Sequence, residues 1–124
     1  MKPIPTAVHG MLDYPAGLLL LAAPNLFGFA DHGGAAVLVP RIIGVIVILQ
    51  SLMTRYEAGL IKVIPMKMHL MNDYIAGALL LLSPWIFGFA DSPTNVWAPH
   101  VAAGLFVLVI TMLTQRAPRE ATGR

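Results

Sequence analysis

KPIPTAVHGMLDYPAGLLLLAAPNLFGFAD (residues 2–31) and KVIPMKMHLMNDYIAGALLLLSPWIFGFAD (residues 62–91) align without a gap at an offset of 60, and 18 of the 30 positions are identical. The identities include His9/His69, Asp13/Asp73, Tyr14/Tyr74, Gly17/Gly77, Pro24/Pro84 and the run Phe27–Asp31 against Phe87–Asp91. A fixed internal period marks a supersecondary unit that buries its apolar face only against a neighbour. Each copy is followed by a second apolar stretch, 36–54 and 96–114. The chain therefore reads as one hairpin written twice, with repeat 1 over 2–60 and repeat 2 over 62–120 inside a single domain, 1–124.

Composition points to lipid as the solvent. The chain is 57% hydrophobic and 11% charged, with a mean hydropathy of +0.75, whereas soluble domains carry about 25% charged residues. A chain of 124 residues is too short to hide that much apolar surface in a water-facing core. Four stretches, 6–29, 36–54, 66–89 and 96–114, approach or exceed the roughly 20 residues that a helical span requires. None alternates as a barrel strand must, so the expectation is an all-α integral membrane four-helix bundle. A cleaved signal peptide at the N-terminus is disfavoured because the same segment recurs at 62–91. Cysteine is absent, which removes disulfides, thiolate metal sites and cysteine nucleophiles.

Seven of the eight basic residues, Lys2, Arg55, Lys62, Lys67, Arg116, Arg119 and Arg124, fall at the two ends or in the central connection, and Arg41 alone falls on the other side. The positive-inside bias places both termini and the 55–65 connection in the cytoplasm. Tyr14, Tyr56 and Tyr74 then lie near the inner interface, and Phe27, Phe29, Trp85, Phe87, Phe89 and Trp97 near the outer one. The net charge of +2 is a topology signal, and no nucleic-acid partner is expected.

Local signals shape the hairpin. Thr6 is read as an N-cap after Pro5, and Pro65 marks the equivalent start in the second copy. Pro24 and Pro84 predict a kink or restart near the outer end of each opening helix, with Ser83 as the cap of the restart. The turn compositions at 31–34 and 91–94 are short enough to set the two helices of each repeat antiparallel. With an even number of spans per repeat, both copies insert the same way up, related by a pseudo-twofold axis along the membrane normal.

Ser83-Pro84-Trp85 followed by Ile-Phe-Gly-Phe-Ala-Asp resembles the SPW-repeat family of small bacterial membrane proteins, whose repeat is a pair of membrane helices carrying this tripeptide in the first. The resemblance covers both repeats, although copy one reads Ala23-Pro24-Asn25 in place of the tripeptide. It implies location in the bacterial inner (plasma) membrane and a two-helix repeat architecture. It brings no catalytic residue.

His9, Asp13, Gly17, Leu20 and Pro24 step by three or four residues, as do His69, Asp73, Gly77, Leu80 and Pro84, so each set occupies one helix face. Residues 32–60 match their partners only at Gly44/Gly104, Val47/Val107 and Thr54/Thr114. The conserved-within-the-chain stripes are therefore expected to face each other or a shared interior. At spacing i, i+4 each aspartate can accept a hydrogen bond from its histidine. Two such pairs meeting near an axis support either a packing network that draws in Thr54, Arg55, Thr114 or Gln115, or a proton relay, cation site or His/carboxylate metal site. Gly17/Gly77 and Gly44/Gly104 are read as close helix approaches, and Arg41 as snorkelling or pairing with Asp31 or Asp91. Trp85 and Trp97 are read as headgroup anchors, with Gln50 and Ser51 facing protein. His100 is weighed as a haem or metal ligand against simple solvation.

The function expected on these grounds is non-enzymatic: a polytopic membrane protein acting through self-association or as an accessory of another membrane complex, with no cofactor and no resident metal assigned. No nucleophile–base pair, phosphate loop or recognised metal motif is present, and the loops are too short to build a soluble active site. The alternative is a proton or small-ion conduit through His9, Asp13, His69 and Asp73. A weaker one is a haem, metal or quinone site on His9, His69 or His100.

Overall fold

The computed structural model describes residues 2–116; Arg119 and Arg124, and the end of repeat 2, lie outside the described residues. Within them the chain forms four α-helices and no strand: α1 (Thr6–Leu26), α2 (Gly34–Leu52), α3 (Met66–Ile86) and α4 (Thr94–Leu113), with a short 3-10 turn at Ala30–His32. α1 packs along α2 and α3 along α4, while α2 also touches α3.

The opening helices stop three residues earlier than their apolar runs suggest, and the repeated Phe-Gly-Phe is the reason. Gly28 and Gly88 adopt left-handed φ values of 75° and 77°. In that conformation the Phe29 N–H reaches back to the Pro24 carbonyl at 2.8 Å and the Phe89 N–H to the Pro84 carbonyl at 2.7 Å, closing a Schellman cap. Phe29 and Phe89 are only 3% and 6% exposed, so they fill an outer core with Ala36, Val37 and Val96 and do not anchor in headgroups.

Two further expectations are corrected. Thr6 does not cap α1: Pro5 holds the cap position, and the Thr6 hydroxyl donates to Glu57 Oε1 at 2.7 Å. Ser83 does not cap a restarted helix, since α3 runs unbroken through Pro84. Proline has no N–H to give the carbonyl four residues back, and in an apolar setting that orphaned oxygen is costly. The Ser83 hydroxyl donates to the Leu80 carbonyl, the one Pro84 leaves bare, at 2.8 Å. The serine of Ser-Pro-Trp thus repairs the bond its proline deletes, and the exposed Trp85 points away from the bundle. Pro40 likewise frees the Ala36 carbonyl, and His100 Nε2 lies 2.9 Å from it.

Two glycine crossings set the spacing within the pairs. A Cβ on Gly44 would lie 2.6 Å from the Gly17 carbonyl oxygen, and one on Gly104 would lie 2.5 Å from the Leu81 nitrogen and 2.7 Å from the Gly77 oxygen. Backbone meets backbone at both points, so no side chain fits. Above them a core of Leu20, Val39, Ile43, Val47 and Leu80 fills the centre.

Large apolar side chains stay exposed on every helix, among them Leu18, Ile42, Ile75 and Leu105. Of the four stretches expected to span a bilayer, α2 and α4 are long and apolar enough by length and composition. α1 and α3 do not meet that measure, because His9 and Asp13 in one and Lys67, His69, Asn72 and Asp73 in the other occupy their first turns.

Candidate functional site

The first two turns of α1 and α3 carry His9, Asp13, His69 and Asp73, and the fold brings all four to one point. One potential ligand atom from each lies within 4.8 Å of the others. His9 Nε2 stands 3.1 Å from Asp13 Oδ1 in its own helix and 3.0 Å from Asp73 Oδ2 across the bundle. His69 Nε2 stands 3.2 Å from Asp73 Oδ2 and 3.2 Å from Asp13 Oδ2. Each imidazole therefore faces both carboxylates. The two rings meet edge to face with centroids 5.3 Å apart.

The far side of each ring is held by a threonine at the end of a closing helix. His9 Nδ1 lies 2.8 Å from Thr114 Oγ1, and His69 Nδ1 lies 2.7 Å from Thr54 Oγ1. Short backbone bridges, Ile4 with Thr114 and Thr54 with Ile64, bring these threonines beside the lead-in to α1 and α3. Each hydroxyl donates its one proton to a carbonyl of its own helix, Thr54 to Gln50 and Thr114 to Ile110, both at 2.6 Å. The oxygens can then only accept, so Nδ1 carries the proton on both histidines and Nε2 is turned into the centre.

The carboxylates are held as well. The Tyr56 hydroxyl donates to Asp13 Oδ2 at 2.7 Å, and the Gln50 amide donates to Asp73 Oδ1 at 2.8 Å. Asn72 in turn donates to Gln50 Oε1 at 3.1 Å, fixing which way that amide points. Burial first, and the adjacent Asp13 carboxylate second, hold the Tyr56 phenol well above its ordinary range, so it remains a donor at physiological pH. Every one of the four central groups has a dedicated outer partner. Tyr56→Phe removes one such bond and leaves a buried carboxylate oxygen short of a donor, which should lower stability by about 1–3 kcal/mol in detergent unfolding followed by circular dichroism.

Beside His9, Asp13 and Asp73 lies a cavity of about 30 Å³, enough for a small ion or a water, which needs roughly 10–15 Å³. The same cavity is bordered by the apolar side chains of Leu20 and Val47, which belong to the central core with Leu80.

Other sequence candidates fall elsewhere. His100 is not part of this centre: its ring sits between Phe29 and Phe89, with centroids at 5.6 and 4.7 Å, and its nitrogens address the Val96 and Ala36 carbonyls. Arg41 pairs with neither Asp31 nor Asp91; its guanidinium donates to Asn25 Oδ1 at 2.6 Å. Arg55 donates to the Lys62 carbonyl, and Gln115 binds the Ile4 carbonyl through its backbone, so neither side chain enters the network. Gly17 and Gly77 sit at the two helix crossings, and Pro24 and Pro84 in the last turns of α1 and α3. Tyr56 escaped the sequence reading because it lies in the connection and its counterpart sixty residues on is Arg116. Thr54/Thr114 carried a signal, being one of three identities in the drifted part of the repeat.

Among curated proteins and solved structures, none matches the chain. The sequence profile of the SPW repeat domain matches residues 7–114, which takes in all four helices and the whole polar centre. On that match, which spans most of its length, the chain belongs to the SPW repeat domain family.

Proposed function

We propose that the protein is a four-span membrane protein with no enzymatic activity of its own, acting by association with itself or with another membrane complex. The observation that carries this reading is the direction of its chemistry. His9, Asp13, His69 and Asp73 of α1 and α3 are consumed at the buried centre, Lys67 and Tyr74 are the titratable groups left exposed in the first half of α3, and the surface beyond them is largely apolar. The polar composition of α1 and α3 is thus turned inward, as it is when ionisable residues lie within a bundle in lipid, and both helices keep lipid-compatible outer faces such as Leu18, Leu19, Ile75 and Leu82. The contacts of His9 with Thr114 and of His69 with Thr54 are related by the sixty-residue offset, which supports two like-oriented repeats about an axis along the membrane normal. The clustering of basic residues at the two ends and in the central connection supports an orientation with both ends on the cytoplasmic side of the plasma membrane.

An apolar groove of about 520 Å³ runs between α1 and α4, bordered by Leu19, Ala23, Pro99 and Ala102. Under this reading it is the face that would receive a helix of a second copy. Because the chain has no cysteine of its own, single replacements give a clean test. Ala102→Cys should crosslink between copies in native membranes, whereas Leu49→Cys, exposed on α2, should not. Native mass spectrometry showing a strictly monomeric, partnerless protein would overturn the association reading. A proton or ion conduit is the second reading, and the convergence of His9, Asp13, His69 and Asp73 favours it. The apolar core of Leu20, Val47 and Leu80 next to the four residues speaks for a site within one subunit rather than a polar path across it.

A further inference from the structure

We propose that His9, Asp13, His69 and Asp73 form the binding site of one divalent transition-metal ion of the zinc class, tying α1 to α3. The inference takes the buried centre of the association reading and gives it a ligand.

The geometry of the donors comes first. Zinc bonds of about 2.0–2.1 Å to nitrogen and oxygen in a tetrahedron separate neighbouring ligands by about 3.3 Å. The Nε2-to-carboxylate separations here run from 3.0 to 3.2 Å. These nitrogen-to-oxygen edges are within a few tenths of an ångström of a tetrahedral edge, and the four donors as a set lie within 4.8 Å of one another, so an ion would draw the remaining separations in. Two imidazoles and two carboxylates suit zinc and its first-row neighbours, and the absence of sulfur argues against copper(I) or an iron–sulfur cluster.

The second argument is the protonation pattern. With Nδ1 of each histidine committed to a threonine, Nε2 of each ring is turned on the carboxylate oxygens, His9 Nε2 lying 3.0 Å from Asp73 Oδ2, and a cation held between the four groups is bonded by all of them at once. His69 Nε2 is buried without an aligned hydrogen-bond partner, although it lies 3.2 Å from an oxygen of each carboxylate. Its side chain is 0% exposed and that atom aims into the centre. A proton shared with one carboxylate would demand a straight N–H···O line, whereas a metal ion asks only that the lone pair point at it.

The third is the outer shell. Metal-bound histidines characteristically give their other N–H to an oxygen, and metal-bound carboxylates are themselves hydrogen-bonded. Thr114, Thr54, Tyr56 and Gln50 perform these tasks for His9, His69, Asp13 and Asp73 in turn. Charge also balances: two carboxylates and two neutral imidazoles neutralise a divalent ion, so the buried centre carries no net charge. Four protein ligands make a closed, structural site rather than a catalytic one.

The test uses the full chain purified in detergent through a histidine-free tag. Elemental analysis after dialysis against zinc should give one ion per chain, and the cobalt-loaded protein should show the visible bands of tetrahedral cobalt. His69→Gln should abolish stoichiometric binding, while His32→Gln, at an exposed histidine, should leave it intact. Thr54→Val keeps all four ligands and removes only an outer partner, so it should weaken zinc 10- to 100-fold. If His69→Gln fails to fold, the wild-type stoichiometry and Thr54→Val decide. A helical wild-type chain that retains neither zinc nor cobalt, or zinc held equally by the Thr54→Val variant, overturns the metal centre. Crosslinked oligomers of such a metal-free chain would leave the association reading standing, and a metal-loaded monomer would remove that reading while keeping the site.

Discussion

Asp73→Ala should destabilise the protein by about 3–5 kcal/mol, the largest loss expected of any single side chain. Removing one member of a buried charged cluster strands the others without a partner, and that penalty exceeds the net worth of the pair itself. Asp73 Oδ2 lies 3.0 Å from His9 Nε2 and 3.2 Å from His69 Nε2, and Oδ1 takes the Gln50 amide. Its loss would leave three buried polar groups to find new partners beside a cavity bordered by Leu20, Val47 and Val107. Unfolding in detergent, followed by circular dichroism, measures the effect. The partner test is a double-mutant cycle with His9→Ala, whose coupling to Asp73→Ala should be 0.5–3 kcal/mol in magnitude. Additive losses would mean that the 3.0 Å contact between α1 and α3 contributes nothing of its own.

Gly104→Val should cost about 3 kcal/mol, at the upper end of overpacking penalties, because the obstruction is backbone that cannot rotate away. Even the first added carbon would sit 2.5 Å from the Leu81 nitrogen, so α3 and α4 would have to separate along their contact. Gly88→Ala offers the contrast. No atom lies within 4 Å of its would-be Cβ, but its φ of 77° is left-handed, so the penalty is conformational and should be about 1–2 kcal/mol. Equal losses at the two positions would show that close approach is not what position 104 requires. The same unfolding measurement reads both, and the valine variant should also loosen the crossing to cysteine crosslinking.

Much of this was legible in the linear chain. Apolar length and the offset repeat predicted four helices, and i, i+4 spacing placed each histidine on the same face as its aspartate. What misled was punctuation. Pro84 read as the first residue of a restarted helix capped by Ser83, yet Ser83 instead bonds the Leu80 carbonyl that the proline leaves bare and the helix continues. Phe29 and Phe89 read only as aromatics near the outer interface, and the left-handed glycine before each turns it into the core, which composition does not show. Summed hydropathy hid the lipid-compatible faces of α1 and α3, since it averages inward polar residues with outward apolar ones.

By itself the sequence determined helicity, the family and the local His–Asp pairs, all consequences of periodicity over a few residues or of a repeat visible by alignment. Only the tertiary structure decided that His9 answers to Asp73 and Thr114, and that Asp13 is held by Tyr56. Those partners lie 64, 105 and 43 residues apart. No local pattern encodes such distances; they are set by where backbone bridges and glycine crossings dock one helix end against another.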